Sequence, residues 1–116
     1  MGTNIIFYGW KRSVPGREHL SASHFEEYLS YLAGLQMDGV IESFDPVFLD
    51  PNGSGINGFV LIRVDPTRAS QLLDRPEFNE HITRSMMHLE DPVLSCGVSG
   101  ALLEDRMAQW VASIPK

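Results

Sequence analysis

The sequence predicts an α+β protein whose elements run β-α-β-β-α-β, with one further helix after the last strand. Three observations predict it. Compact β-branched and aromatic runs occupy residues 4–10, 58–64 and 92–98, apolar residues recur at helical spacing between them, and Pro and Gly clusters separate the two kinds of segment. At 116 residues and 13.0 kDa the chain has room for one hydrophobic core, so one domain over residues 1–116 is expected. Its 43% apolar and 21% charged residues fit a globular rather than a disordered chain.

The first strand carries Ile5, Ile6, Phe7, Tyr8 and Trp10 and runs into a polar loop at Lys11, Arg12 and Ser13, with Pro15 and Gly16 following. From Ser21 or Ser23, either able to cap a helix, apolar residues recur at Phe25, Tyr28, Leu29, Leu32 and Leu35 until Asp38-Gly39 ends the pattern. Ser23 with Glu26 matches a capping box. Residues 40–49 make the second strand, and Pro46, which has no N–H to donate, assigns it to a sheet edge or a bulge.

Residues 50–55, Asp-Pro-Asn-Gly-Ser-Gly, are turn chemistry, so the third strand at 58–64 pairs with the second as a hairpin. Asp65-Pro66-Thr67 opens a helix with Ala69, Leu72 and Leu73, and Pro76 begins a second piece with Phe78, Ile82, Met86 and Leu89 on one face. The fourth strand follows at 92–98. Leu103, Met107, Trp110, Val111 and Ile114 then mark an amphipathic C-terminal helix, expected to be anchored through Trp110, with Glu104 and Asp105 in its first turn.

This order is that of a ferredoxin-like fold, with a four-stranded antiparallel sheet covered on one face by both helices. Its strands are apolar on both faces: Ile5 and Phe7 oppose Ile6, Tyr8 and Trp10, and Phe59 and Leu61 oppose Val60, Ile62 and Val64. The second face needs a cover, either a second copy of the chain or the C-terminal helix folded back. A homodimer is the expected partner state.

Chain order, size and two-faced strands resemble the dimeric α+β barrel superfamily, in which two ferredoxin-like subunits pack sheet against sheet around a cavity. Within it, residues 28–39 (Tyr-Leu-Ser-Tyr-Leu-Ala-Gly-Leu-Gln-Met-Asp-Gly), the Gly-containing hairpin and Gly58-Phe59-Val60-Leu61-Ile62 are similar to YCII-like proteins. The resemblance spans the first helix through the third strand. It implies a histidine acting with an aspartate in acid-base chemistry, but the histidine position of the family's His-Leu-x-x-Leu pattern is Tyr28 here, and His24 lies one turn earlier.

Nine Lys and Arg against fifteen Asp and Glu give a net charge of -6, which repels nucleic-acid backbones and anionic membranes, so neither is expected as a partner. No apolar run is long enough to span a bilayer. A lone Cys96 has no internal disulfide partner and no leader-like stretch stands at the N-terminal end, which together point to the cytoplasm. As an alternating fourth-strand residue, Cys96 is expected in the core.

The topology gathers Lys11, Arg12, Arg17, His19, His24 and His88 with the Gly-rich hairpin loop on one rim, an arrangement suited to a carboxylate or phosphate, or else a solvated loop. Tyr8, Trp10 and Phe59, with Ser95 and Ser99, are assigned to the sheet face away from the helices, as a pocket for an aromatic ligand or as interface packing. His81 and His88 on one continuous helix would lie roughly 10 Å apart along its axis, so no metal site is expected.

Three functional readings follow. The first is a dimeric barrel binding a small organic molecule, aromatic or carboxylate, without a cofactor. The second is a cofactor-independent enzyme of proton-transfer or monooxygenase type, with His24, Tyr28 or His88 as acid-base candidates. The third is a structural or interaction module.

Overall fold

A computed structural model describes residues 2–115. In chain order its elements are β1 (Ile5–Trp10), β2 (Arg12–Ser13), α1 (Glu18–Met37), β3 (Ser43–Phe48), β4 (Gly58–Arg63), α2 (Ala69–Leu73), α3 (Pro76–Ser85), β5 (Leu89–Glu90), β6 (Val93–Gly97) and α4 (Ala101–Ala112). The main sheet is antiparallel with strand order β3-β4-β1-β6, and β2 pairs with β5 in a separate two-stranded ribbon. Element order and sheet order together are consistent with a ferredoxin-like fold carrying an extra C-terminal helix. Pro46 lies in β3, the edge strand beside β4, where a missing N–H breaks no ladder.

Cross-strand partners share a face, and the register puts Tyr8 opposite Val60 and Ile6 opposite Ile62. These four are buried under Leu32 and Leu35 of α1, Leu72 of α2 and Phe78 of α3, which form one core. Each such side chain contributes about 1.5–3 kcal/mol through burial, so the helix-covered face carries most of the fold's apolar stabilisation. On the other face Phe7 and Phe59 meet with ring centres 5.1 Å apart and stay partly exposed.

Several sequence expectations are corrected. Helix α1 begins at Glu18 instead of Ser21 or Ser23 and has no side-chain cap, because Gly16 at φ 90° and a bond from the Arg17 N–H to the Val14 carbonyl start it earlier. Helix α3 ends at Ser85, so Met86 and Leu89 leave its face and the chain turns through 86–88 into β5. Cys96 is exposed, because β6 is an edge strand that the helices leave uncovered. Helix α4 buries none of its residues, and Trp110, expected as an anchor, is 63% exposed. Among the described residues α4 is thus not packed as a cover on the outer sheet face, where Phe7 and Phe59 stay partly exposed. No helix among the described residues is long and apolar enough to cross a membrane.

Candidate functional site

Between α1, α3 and the helix-facing side of β1 lies a cavity of about 370 Å³. One wall is aromatic. The Trp10 indole meets Phe25 edge-on at 6.0 Å and Phe48 at 6.5 Å, and Phe25 lies 5.3 Å from Phe48. Gly58, the cross-strand partner of Trp10, makes room for it, since a Cβ there would come within 2.8 Å of the indole.

The opposite wall is a line of imidazoles. The buried stripe of α1 continues N-terminally from Leu35, Leu32 and Tyr28 to His24, at i−4 from Tyr28. On α3, His81 stands three residues after the buried Phe78. His88 comes from the turn after α3, where the ribbon holds it: the Val14 N–H donates to the His88 carbonyl at 2.8 Å and the Lys11 N–H to that of Glu90 at 2.9 Å. His24 Nδ1 is 2.9 Å from His88 Nε2, and His24 Nε2 is 3.0 Å from His81 Nδ1. His88 Nδ1 is 2.7 Å from the Ser21 hydroxyl, itself 2.7 Å from that of Ser13. Ser21 thus serves this chain instead of capping α1.

Burial is the main cause that holds all three imidazoles below their ordinary pKa, with the Arg84 guanidinium adding to it. His24, 5% exposed and flanked by the other two rings, is lowered from 6.5 to about 4. Arg84 is itself paired with Glu27, whose carboxyl it holds below the usual range. Near neutral pH the chain is uncharged, and each ring offers one donor and one acceptor.

Two tyrosines complete the cavity. The Ser85 hydroxyl donates to the Ile82 carbonyl at 2.6 Å, so the Tyr8 hydroxyl is the donor in its bond to Ser85. The Tyr28 hydroxyl is buried and has no partner, and burial raises its pKa, so it remains a protonated donor without an acceptor. An unpaired buried hydroxyl costs about 1–3 kcal/mol.

Of the residues singled out in the sequence, the cavity gathers Tyr8, Trp10, His24, Tyr28 and His88. Arg12, Arg17, His19 and Phe59 are not in its lining. Arg12 pairs with Glu90 at 2.7 Å, Arg17 donates to the Met87 carbonyl, and His19 is exposed at the start of α1. The expected grouping of Tyr8, Trp10 and Phe59 away from the helices is corrected by the register: Phe59 opposes Gly9 on the outer face, whereas Tyr8 and Trp10 face the helices. His81 and His88 do not share one continuous helix, since α3 ends at Ser85, and His24 stands between the two rings.

Sequence reasoning missed His81, Ser13, Ser21, Phe25, Phe48 and Ser85 as site residues. The available signal was the spacing that places His24 on the α1 stripe and His81 beside the α3 stripe. Among the described residues no group of three or more His, Cys, Asp or Glu is arranged to hold a metal ion. The ring nitrogens, 2.9 and 3.0 Å apart, stand at hydrogen-bond spacing. Comparison with family models, curated proteins and solved structures finds no match for this chain.

Proposed function

We propose that the cavity binds a small, neutral, planar aromatic molecule carrying an oxygen that accepts a hydrogen bond. The observation that carries this reading is the cavity of about 370 Å³ with Trp10, Phe25 and Phe48 on one wall and Tyr28, whose hydroxyl is buried without a partner, in its lining. Ring edges and faces of Trp10, Phe25 and Phe48 suit a flat apolar body, and the Tyr28 O–H is a donor whose desolvation is already complete in the free protein. With both rim arginines engaged outside the lining, a neutral ligand suits the cavity better than a carboxylate. Calorimetric titration with matched aromatic ketones and carboxylates tests this: the ketones bind wild type and bind Tyr28→Phe more weakly. Equal ketone affinity in the two proteins, or preference for the carboxylates, overturns it.

The same reading takes the protein as a homodimer of the dimeric α+β barrel kind, similar to YCII-like proteins. The uncovered outer face around Phe7 and Phe59 and the exposed apolar stripe of α4 support it.

A second reading, cofactor-independent proton transfer on the bound molecule, is favoured by the neutral imidazole chain along the cavity wall. It expects deuterium uptake from heavy water at the carbon beside the carbonyl of a bound aromatic ketone, and loss of that uptake in His24→Gln. Uptake unchanged by the substitution contradicts it.

A further inference from the structure

We infer that His81, His24 and His88 form a proton conduit between the cavity and the outer surface of the helix layer. The inference rests on reading the cavity as a ligand site, because an aromatic cavity filled by an apolar molecule exchanges protons by a route other than water. His81 lines the cavity and also an open concavity on the outside, shared with Ser23, Glu27 and Tyr31 of α1. At the other end His88 meets Ser21, which is bonded to Ser13, and both serines are in the cavity wall.

Counting hydrogens shows why the arrangement conducts. Three neutral imidazoles carry three N–H hydrogens, two of which occupy the His–His bonds, leaving one for a chain end. With that hydrogen on His88 Nδ1, the ring donates to Ser21, and His81 Nε2 is bare. With it on His81 Nε2, the Ser21 hydroxyl donates to His88 Nδ1 and accepts from Ser13. Both states make every hydrogen bond of the chain, so neither direction is locked.

Transfer between them balances. A proton from water bonds to His81 Nε2, and His81 releases its Nδ1 proton to His24 Nε2. His24 passes its Nδ1 proton to His88 Nε2, His88 passes its own Nδ1 proton to Ser21 Oγ, and Ser21 releases its hydroxyl proton to a basic atom in the cavity. Five bonds to hydrogen form and five break, the donating water is left as hydroxide in the solvent, and each ring ends neutral in its other tautomer with the Ser21 hydroxyl restored. The reverse sequence carries a proton outward.

The chain also holds one excess proton with both His–His bonds kept, whereas a second places two hydrogens in one bond and opens it. Arg84 on α3 opposes that excess charge, while Glu27 on α1 and Glu80 on α3 favour it. Tyr8 of β1 and Tyr28 and Tyr31 of α1 stay neutral beside the chain, their pKa values raised chiefly by burial.

Nitrogen-detected NMR of the histidine side chains in the ligand-free protein tests the conduit independently of any ligand. The expected results are a coupled titration in which the three rings share one proton, and a change of His88 tautomer populations in His81→Gln, transmitted through His24. Backbone amide spectra check that the variant folds, and the coupled titration in wild type stands if it does not. Unchanged His88 shifts in folded His81→Gln, or three independent titrations in wild type, overturn the conduit. Failure of every aromatic ketone to bind refutes the ligand reading and leaves these NMR results as they are.

Discussion

His24 Nε2 and His81 Nδ1 stand 3.0 Å apart with ring centres at 5.3 Å and ring planes 12° from parallel, the edge-to-edge geometry of an in-plane N–H···N bond. His88 meets the opposite edge of the His24 ring at 90°. His24 is therefore tied at both nitrogens, and its place in the fold is set by two residues more than 50 positions away.

Removing the Tyr28 hydroxyl separates stability from binding. Tyr28→Phe deletes a buried donor that has no partner, and such a group costs about 1–3 kcal/mol, so the ligand-free variant unfolds at the same or a higher temperature than wild type. Thermal unfolding checks this. A clear loss of stability would mean that the hydroxyl has a partner in solution.

The imidazole chain makes stability fall on mild acidification. His24 has a folded pKa of about 4 against 6.5, so the unfolded chain binds more protons between those values and stability drops as pH is lowered through that window. His81 and His88 are lowered too and act in the same direction. Glu27 and Asp65, with lowered carboxyl pKa values, lose their contributions only below 4.5 and 3.8. Urea midpoints measured from about pH 7 down to about pH 5 fall in wild type and vary less with pH in His24→Asn. A flat wild-type profile contradicts the burial of neutral imidazoles.

Much of the fold was legible in the sequence. The alternation in β1 and β4, Pro46 on an edge and Pro76 at the first turn of α3 all act through local backbone chemistry, which a sequence displays directly. The site was legible only in part. Tyr8, Trp10, His24, Tyr28 and His88 stood out, but the face they share depends on which side of the sheet receives the helices, and two-faced apolar strands carry no mark of that choice. The ribbon of Arg12–Ser13 with Leu89–Glu90, which aims His88 at His24, has two residues in each strand, too few for any periodicity to show. For the same reason the arginines were drawn toward the site, where the structure gives Arg12 to Glu90 and Arg17 to a carbonyl.

Those arginines are expected to be replaceable. Arg12 is well exposed in its pair with Glu90, and surface pairs of this kind contribute about 0–1 kcal/mol. Arg12→Ala, Arg17→Ala and His19→Ala leave the calorimetric affinity for aromatic ketones unchanged. A large loss of affinity in any of the three would return the rim to the site.

Helix α4 is expected to act between copies of the chain. Trp110 and Met107 are half or more exposed, so replacing both by Ala leaves the core untouched and removes apolar surface open to a second copy. Light scattering reports twice 13.0 kDa for wild type and a shift toward the single-chain mass for the double variant. A wild-type monomer at micromolar concentration would contradict the dimer.

The most direct test of the proposed ligand site is an NMR perturbation map with a panel of small neutral aromatic ketones. Shifts should converge on Trp10, Phe25, Tyr28, Phe48 and Ile82 around the cavity. Shifts confined to Phe7, Phe59 and Leu61 on the outer face, or no shifts with any member of the panel, would contradict the assignment of the cavity as the binding site.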